Sequence, residues 1–391
     1  MLFSDTLLIG VDGGATEVKA HAVACDDLNR GTSFRLREES AARVYARLSE
    51  FEPVPVADQF AQRDADDLKQ SAVEAEQGAR WVLAAAEAIA DVARQCGRRQ
   101  VLIGLGMPGL KTTDKRGICV INNGPRIPDY LDALERRLAE GGVELARSIA
   151  ALGSDADYCG LGEECAAEGL FRDVKSAYYV GCGTGVADAM KLRGRLVPFD
   201  DAKSWIMKSW QIPSALGPTF EKLVSAQSIN RVYADLKGGD ESGYPEAAAA
   251  DGDAVANTWM NTAALVLAEL VFERMLTIMR GRSAAPHRGE AYTRLDSAHD
   301  YCGVVLDRVV IGQRVGQIYA DPRFSPFFTE KLTAHLAALI ADSGDSELSG
   351  AYLTAEGGLR PGLVQCSRLR AAPALGAAVA AVRAASGESR R

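Results

Sequence analysis

Short apolar runs that end at glycine-rich turns are the most regular pattern along the chain. Residues 7–11 form one such run, Leu-Leu-Ile-Gly-Val, which is typical of a buried strand. An Asp-Gly-Gly turn follows at residues 12–14, and a second apolar stretch at residues 18–24 completes a predicted hairpin. The order of strand, glycine turn and returning strand recurs at residues 177–197. This repetition predicts two similar lobes, each presenting a glycine hairpin to a shared cleft.

The remaining elements alternate between helices and strands. Helices are predicted at residues 72–94, 130–139, 155–169, Ala254–Arg280 and 374–385, and short buried strands at residues 101–105, 148–152 and 308–311. Ala254–Arg280 is apolar nearly all round, which predicts a helix at the centre of a lobe. Residues 25–66, 237–253 and 282–300 are polar or rich in breakers and are predicted to be irregular, and residues 386–391 are expected to fray.

Composition and charge narrow the choice of partners. The chain has 391 residues, of which 47% are hydrophobic and 25% charged, as expected for a globular protein of two or three domains. Its formal net charge is −8, which argues against nucleic acid as a partner because phosphate neutralisation needs a basic face. ATP remains compatible with this charge, since Mg²⁺ supplies the compensating positive charge locally.

Cysteine and histidine usage points to a reduced protein without structural zinc. The eight cysteines are dispersed, no Cys-x-x-Cys pair occurs, and the four histidines lack zinc-ligand spacing. Acidic residues, Asp5 and Asp12, flank the first apolar run, so it does not resemble a signal peptide. Because no stretch approaches the roughly 20 apolar residues of a membrane span, we expect a cytoplasmic protein with no membrane partner.

The two glycine turns carry candidate phosphate chemistry. In residues 12–16, Asp-Gly-Gly-Ala-Thr, a carboxylate stands beside backbone N–H groups, so Asp12 can hold Mg²⁺ directly or through water. Residues 181–185, Gly-Cys-Gly-Thr-Gly, offer a second set of N–H groups and the hydroxyl of Thr184. Each turn alone also fits an ordinary structural hairpin. Together, in a chain without a Walker-type lysine loop, they favour a clamp on a triphosphate.

Asp155 is the candidate general base. It follows a predicted buried strand and opens a predicted helix that Ser154 is placed to cap. The structural alternative is a carboxylate favoured at a helix start by the macrodipole. The functional interpretation is an aspartate that accepts the proton of a hydroxyl during phosphoryl transfer.

These segments resemble the ROK family of repressors, open reading frames and kinases, within the actin-like ATPase superfamily. Residues 8–20 resemble its first phosphate hairpin, and residues 104–112, with Met-Pro-Gly at 107–109, resemble its Gly-Val-Pro-Gly segment. Ser-Asp-Ala-Asp at 154–157, with Leu-Gly-Glu at 161–163, resembles the motif that holds the catalytic aspartate. Residues 183–186 resemble the second phosphate motif, residues 309–312 the strand entering the adenosine site, and residues 373–380 the closing helix.

The resemblance implies a fold, a division into domains and a site. The implied fold is α/β, a two-lobed actin-like ATPase (ribonuclease H-like) fold with mixed sheets, flanking helices and an interlobe cleft. The N-terminal lobe would span residues 1–126, with the closing helix, residues 373–391, packing back on it; the C-terminal lobe would span residues 127–372. The implied phosphate-binding residues are Asp12, Gly13, Gly14, Thr16, Gly183, Thr184, Gly185 and Gly312, and the implied substrate-binding residues are Asn122, Asn123, Asp155 and Glu221. An Asn-Gly turn is the structural alternative for Asn123-Gly124.

Several positions depart from the family pattern. Ala15 and Glu17 stand where the family has Gly and Lys, Asp188 interrupts a glycine run, and Gln313 and Arg314 replace two glycines at the adenosine site. The Glu-x-Gly-His sugar motif and the Cys-rich zinc loop are missing, so we expect no zinc. Residues 200–218 stand in their place and contain two tryptophans, Trp205 and Trp210, which stack on a sugar ring or simply pack in the protein.

The sequence therefore predicts an ATP-dependent, Mg²⁺-requiring carbohydrate kinase that phosphorylates a hexose, an amino sugar or a cyclitol, with Asp155 as base. Its partners would be ATP, a small polyhydroxy substrate and a second copy of the chain in a homodimer. A catalytically degenerate sugar- or nucleotide-binding regulatory protein is the main alternative. A repressor would carry a helix-turn-helix ahead of the first hairpin, where only six residues stand here. An ATPase that activates an iron–sulfur dehydratase would need cluster cysteines, and no such motif appears.

Overall fold

The computed structural model describes residues 5–26, 33–199, 202, 205–239, 243–282, 284 and 298–387. These residues form two compact units, one from Met1–Gly169 with Ala371–Arg391 and the other from Leu170–Arg370. The first unit is therefore discontinuous in sequence.

Both units combine strands and helices. Up to the first boundary the elements are β1 (Leu7–Gly13), β2 (Glu17–Cys25), β3 (Phe34–Val44), α1 (Val56–Asp64), α2 (Ala72–Gln95), β4 (Gln100–Met107), β5 (Leu110–Lys111), β6 (Ile118–Val120), α3 (Tyr130–Glu140), β7 (Glu144–Leu145), β8 (Leu152–Ser154) and α4 (Asp155–Cys165). The second unit contains β9 (Ala177–Cys182), β10 (Val186–Leu192), β11 (Arg195–Val197), α5 (Glu221–Val224), α6 (Ala226–Leu236), α7 (Pro245–Ala250), α8 (Ala254–Arg280), β12 (Arg308–Gly312), α9 (Gln313–Ala320), α10 (Glu330–Asp342), α11 (Ser346–Tyr352) and β13 (Val364–Cys366). The last helix, α12 (Ala372–Ser386), returns to the first unit.

A mixed sheet with strand order β3-β2-β1-β4-β7 forms the first unit, and β8 also pairs with β4. Antiparallel pairing joins β3, β2 and β1, whereas β4 runs parallel to β1, β7 and β8. Consecutive side chains of the central strands are buried, among them Ile9 and Val11 in β1 and Leu105 in β4. This sheet brings the ends of β1, β4 and β8 to one edge.

Backbone-to-backbone contacts fix α12 in the first unit. A β-carbon on Gly104 in β4 would overlap the carbonyl oxygen of Ala377, and one on Gly376 would overlap that of Tyr158 in α4. Only glycine allows such close approaches. Because α4 begins at Asp155, the contact with Tyr158 also fixes the position of Asp155.

A second mixed sheet, with order β11-β10-β9-β12-β13, forms the second unit. Antiparallel pairs join β9 to β10 and β10 to β11, and β12 runs parallel to β9 and β13. The long helix α8 is buried along most of its length, which confirms the prediction of a central helix with the same bounds. Two mixed sheets with flanking helices confirm the predicted α/β class.

Some predicted elements differ from the structure. Residues 25–66 contain an edge strand, β3, and a helix, α1, where irregular chain was expected. Pro55 does not prevent a helix here, because it is the N-cap residue of α1, and the residue before a helix needs no intrahelical N–H bond. Pro245 similarly opens α7 within the segment predicted to be a loop. The strand predicted at residues 148–152 is shifted to Leu152–Ser154, and the helix from Asp155 ends at Cys165.

The division into units also differs from the expected boundary at residue 126. Residues 127–169 belong to the first unit, because β7 and β8 extend its sheet and α4 packs against α12. Most of the expected connector 282–300, part of the segment 200–218 and the tail 388–391 lie outside the described residues. Among the helices that the structure describes, none is long and apolar enough to cross a membrane.

Candidate functional site

Asp12 and Asp155 lie at the same edge of the first sheet. In the parallel ladder Asp12 is the register partner of Gly106, and Gly106 is the partner of Gly153 on β8. A β-carbon on Gly106 would lie 3.4 Å from the Cα atom of Asp155. The carboxylate proposed for Mg²⁺ and the carboxylate proposed as base are thus separated by a single strand.

Local sequence explains how Asp155 is held. The hydroxyl of Ser154 accepts a hydrogen bond from the backbone N–H of Asp157 at 3.4 Å, so Ser154 caps α4 as predicted. Asp155 is therefore the first residue of the helix, half-buried at the end of β8.

The carboxyl group of Asp12 at this sheet edge has an unusually high pKa. Burial, and after it the negative charge of Asp155, raise the pKa of Asp12 from 3.8 to about 7. Lys19, the register partner of Asp12 on β2, acts in the opposite direction, while Glu17 adds to the rise. Two carboxylates at one sheet edge form an environment that attracts a cation.

These residues fit Mg²⁺ that arrives with a nucleotide. Mg²⁺ is usually bound by one or two carboxylates together with phosphate oxygens and water. Within the described ranges no group of three or more His, Cys, Asp or Glu side chains could hold a metal. Asp12 is therefore suited to share the ion with a phosphate rather than to bind it in a protein cage.

A tight turn closes the hairpin after Asp12. The backbone N–H of Gly14 donates to the carbonyl of Glu17 at 2.8 Å, and Thr16 is exposed at the tip. Tyr45, directly after β3, donates its backbone N–H to the carbonyl of Thr16 at 3.0 Å. Glu17 pairs with Lys19 at 2.7 Å. The lysine that the family has at position 17 is thus replaced here by an exposed ion pair.

Asn122 and Asn123 are exposed on a loop that two buried side chains hold. Gln59 of α1 accepts a hydrogen bond from the N–H of Ile121 at 2.8 Å and donates to its carbonyl at 2.9 Å. On the other side, Arg126 is fully buried and makes a bidentate pair with Glu74 at 2.8 and 2.6 Å. This support has no local signal in the sequence, because Gln59 lies on α1, in a segment predicted to be irregular.

The same loop lies at the carboxylate end of the sheet. A β-carbon on Gly109 would lie 3.1 Å from the Cβ atom of Ile121. Gly109 follows Met107, the register partner of Ser154. Lys111 strengthens this link by donating its ammonium protons to the carbonyls of Met107 at 2.6 Å and Gly109 at 2.7 Å.

The second unit carries the other glycine turn. Between β9 and β10 the N–H of Gly183 donates to the carbonyl of Gly185 at 2.9 Å, and Thr184 is exposed. Gly312, at the end of β12, is the register partner of Gly181. The two predicted phosphate segments of this unit therefore end side by side in the sheet.

Glu221 lies on this turn. Its carboxylate accepts a hydrogen bond from the N–H of Val186 at 3.0 Å, and a β-carbon on Gly185 would lie 3.0 Å from the same oxygen. The structure thus engages one oxygen of Glu221 with the turn.

Asp188, which interrupts the family's glycine run, is a structural residue. It is buried and pairs with the equally buried Arg274 of α8 at 3.1 Å. Its carboxylate also accepts the hydroxyl proton of Tyr178 and the backbone N–H of Ser209, the latter at 2.9 Å. Removing one partner would leave an unpaired buried charge, which explains why this position is not glycine here.

The two tryptophans of segment 200–218 have different environments. Trp205 is buried against His299 and Tyr301, with ring centroids 5.2 and 5.8 Å apart. Trp210 is 49% exposed. The packing alternative therefore applies to Trp205, and only Trp210 is accessible to a ligand.

A cavity of about 590 Å³ lies near the end of β12 in the second unit. Its lining includes Tyr244, Glu246, Arg314 and Arg323. The guanidinium of Arg314 pairs with the buried carboxylate of Glu246 and lies 5.4 Å from the centre of the Tyr244 ring. Sequence reasoning missed this cavity because α7, which supplies part of the wall, was predicted to be a loop.

Comparisons with known proteins identify the fold. No protein-family model matches the chain, and no curated protein sequence matches it. A ROK hexokinase from Thermus thermophilus matches with a TM-score of 0.54 at 17% identity, over 96% of this chain and 97% of the hexokinase. A ROK family glucokinase from Streptomyces griseus, solved with glucose and AMPPNP, matches with a TM-score of 0.54 at 16% identity, over 97% and 99%.

A ROK family transcriptional regulator, a homologue of the E. coli MLC protein, also matches. The TM-score is 0.54 at 12% identity, over 97% of this chain and 79% of the regulator. At such identities the likeness shows the fold, and it confirms the predicted one. Because this fold is found in kinases and in a regulator alike, activity has to be argued from the residues of the site.

Proposed function

We propose that this chain, which has the fold of ROK family sugar kinases, transfers the γ-phosphoryl group of ATP to a hydroxyl of a sugar or sugar-like polyol. The observation that carries the proposal is the placement of Asp12 and Asp155 one strand apart at the same sheet edge. In phosphoryl transfer the protein contributes positioning and charge, and these two carboxylates supply a metal ligand and a base.

Asp155 acts as the general base. It accepts the proton of the substrate hydroxyl while that oxygen forms a bond to the γ-phosphorus and the bond from phosphorus to the leaving oxygen of ADP breaks. Asp12 would hold Mg²⁺, directly or through water, and this ion would supply positive charge at the phosphates. The high pKa of Asp12 belongs to the protein alone, since a bound cation favours the ionised carboxylate.

The two glycine turns bind phosphate oxygens in this proposal. Backbone N–H groups serve because glycine lets an anion approach closely, and the hydroxyls of Thr16 and Thr184 are exposed at the two turns. The proposed phosphate-binding residues are Asp12, Gly13, Gly14, Thr16, Gly183, Thr184, Gly185 and Gly312. We assign the nucleotide base to the cavity beside Arg314, whose volume suits a ligand of this size.

Asn122 and Asn123 are assigned to the sugar, together with the carboxylate of Glu221. The asparagines are exposed on a loop whose two ends are held by buried side chains, so their positions are fixed before a ligand binds. Without the family's His and Glu sugar motif, we expect poor activity on glucose. A ring that lacks a free anomeric hydroxyl, such as a cyclitol or a modified sugar, should be the better substrate.

A second candidate is a binding or regulatory protein without turnover. The ion pair of Arg314 and Glu246 at the proposed base cavity, and Glu17 in place of a lysine, are the observations that favour it. The match to a transcriptional regulator supports this alternative, because a regulatory protein has the same fold. Both candidates bind small molecules, so turnover is the property that separates them.

A coupled ADP-release screen tests the proposal. Hexoses, N-acetylated amino sugars and cyclitols are offered with Mg²⁺ and ATP to the wild type, to Asp155→Asn and to a control, Asp129→Asn, which changes an exposed aspartate of the same unit. We expect at least one substrate to support turnover, with kcat roughly 10²-fold lower in Asp155→Asn and unchanged in the control. Ligand binding without ADP release across all three classes would favour the regulatory candidate.

A further inference from the structure

Gln313 has a backbone conformation that its side chain disfavours. It directly follows Gly312 at the end of β12, with φ of 57°. This left-handed region costs a residue with a β-carbon roughly 1 kcal/mol more than it costs glycine. A glycine at position 313 would build the same backbone at lower cost, so the backbone does not explain the glutamine.

The side chain of Gln313 reaches the glycine turn. A β-carbon on Gly183 would overlap the Oε1 atom of Gln313, so the amide of Gln313 lies directly against Gly183. The register agrees, because Gly312 pairs with Gly181, two residues before Gly183. The strained backbone thus places a carboxamide beside the proposed phosphate-binding turn.

The backbone hydrogen bonds of Gly183 do not involve the carboxamide of Gln313. Gly183 donates its N–H to Gly185 at 2.9 Å and accepts at its carbonyl from the N–H of Gln227 at 3.3 Å. Among the residues that the structure describes, the Gln313 amide has no hydrogen-bond partner, and the residue is half-buried. A carboxamide carries two N–H donors, which suit a phosphate oxygen.

Strain in this chain does not always indicate function. Arg193 is also a residue with a β-carbon and positive φ, 49°, and it stands before Gly194 in the turn that joins β10 to β11. Two successive residues with positive φ are what a two-residue hairpin turn requires, so the geometry of that turn explains Arg193. Gln313 follows β12 directly as the first residue of α9, where no hairpin turn requires a positive φ.

We propose that Gln313 binds the phosphate chain of the nucleotide through its side-chain amide, and that the strained backbone is retained to aim that amide. The assignment rests on the proposed nucleotide site. The side chain of Gln313 adds a hydrogen-bond donor at a turn that otherwise offers backbone N–H groups and the hydroxyl of Thr184. Gln313 is accordingly a residue that sets nucleotide affinity, in a position where glycine would be the more stable choice.

Replacing Gln313 by glycine separates affinity from stability. Calorimetric titration of the full chain with Mg·AMPPNP and Mg·ADP should show roughly tenfold weaker binding for Gln313→Gly, the loss expected for one hydrogen bond to a charged group. The melting temperature of Gln313→Gly should be equal to or higher than that of the wild type, because the strain is relieved. Gln313→Glu, similar in shape but anionic, should weaken binding further.

Arg193→Gly is the matched control, since it relieves the same kind of strain in the same unit. It should raise the melting temperature and leave the affinity for both nucleotides unchanged. Unchanged affinity in Gln313→Gly would overturn the assignment. A fall in both affinity and melting temperature would give Gln313 a packing role and overturn it too. If the wild type binds neither nucleotide, the proposed function itself fails, and this result is distinct from a variant that binds as well as the wild type.

Discussion

Replacing Asp12 by asparagine should stabilise the protein at neutral to alkaline pH while abolishing turnover. In the folded state burial, and then the charge of Asp155, raise the pKa of Asp12 to about 7. In the unfolded chain the same carboxyl group has its ordinary pKa near 3.8. The folded protein therefore carries a cost for the ionised carboxylate that an uncharged asparagine of nearly the same shape does not carry.

The size and the sign of this stability change follow from the difference in the pKa of Asp12 between the folded and the unfolded chain. A rise in the pKa of Asp12 from 3.8 to about 7 corresponds to a loss of roughly 4 kcal/mol in the free energy of unfolding, at about 1.36 kcal/mol per pKa unit. Because Asp12 is partly exposed, we expect solvent screening to leave about half, roughly 2 kcal/mol. Since the folded pKa of Asp12 is raised, the contribution of Asp12 to stability is most favourable below pH 3.8, falls as pH rises towards 7, and reaches its full unfavourable value above pH 7.

Melting curves in the presence of EDTA test this prediction. For a unit of this size, roughly 2 kcal/mol corresponds to a melting temperature about 4–8 °C higher for Asp12→Asn at pH 8, with the difference shrinking towards pH 4.5. Asp155→Asn should act in the same direction but less, because burial is the larger cause. Asp67→Asn, which changes an exposed residue paired with Lys69, should show no pH-dependent difference. An Asp12→Asn variant that is less stable at pH 8, or equally shifted at every pH, would refute the reasoning.

Three further predictions concern the turn, the packing and the metal. Thr184→Val should raise KM for Mg·ATP several-fold with little change in the binding of substrate alone, because it removes an exposed donor from the turn; unchanged nucleotide kinetics would place the phosphates elsewhere. Gly104→Ala should destabilise the protein by about 1–3 kcal/mol in urea unfolding, since its β-carbon would overlap the carbonyl of Ala377. Gly350→Ala, at a helical glycine with open space around it, should be neutral or slightly stabilising, and equal effects at the two sites would contradict the packing argument. Elemental analysis of purified protein should find no stoichiometric zinc, and one zinc per chain would contradict the expectation drawn from the missing Cys-rich loop.

Most of the fold could be predicted from local patterns of apolar and turn residues in the sequence. The hairpins of β1 with β2 and of β9 with β10, and the bounds of α8, follow from apolar runs and turn residues that act over a few positions. The missed strand β3 explains the limit of this approach. It is an edge strand that pairs with β2 and is rich in Arg and Glu, so it lacks the alternation of a half-buried strand.

The candidate site was predictable only where its residues follow strands directly. Asp12, Asp155 and Thr184 stand at strand ends or turns, and their positions followed from the chain alone. The contacts of Asp188 with Arg274, or of Gln59 with Ile121, join residues more than 60 positions apart. No local periodicity encodes such pairs, so the structural role of Asp188 and the support of the asparagine loop emerged only from the fold.

The return of α12 to the first unit sets an order for folding during synthesis. The ribosome synthesises β1 and β4 before Leu170–Arg370, but the helix that packs on Gly104 and against α4 is synthesised after the whole of that unit. Until then the apolar surface that α12 covers stays open, while the second unit is continuous and free to fold by itself. The carboxylate edge, whose Asp155 depends on the packing of α4 against α12, is therefore completed only after Leu170–Arg370 has been synthesised. Conditions that delay docking of the last helix would leave a nascent chain with one finished unit and one exposed sheet, the form most prone to aggregation.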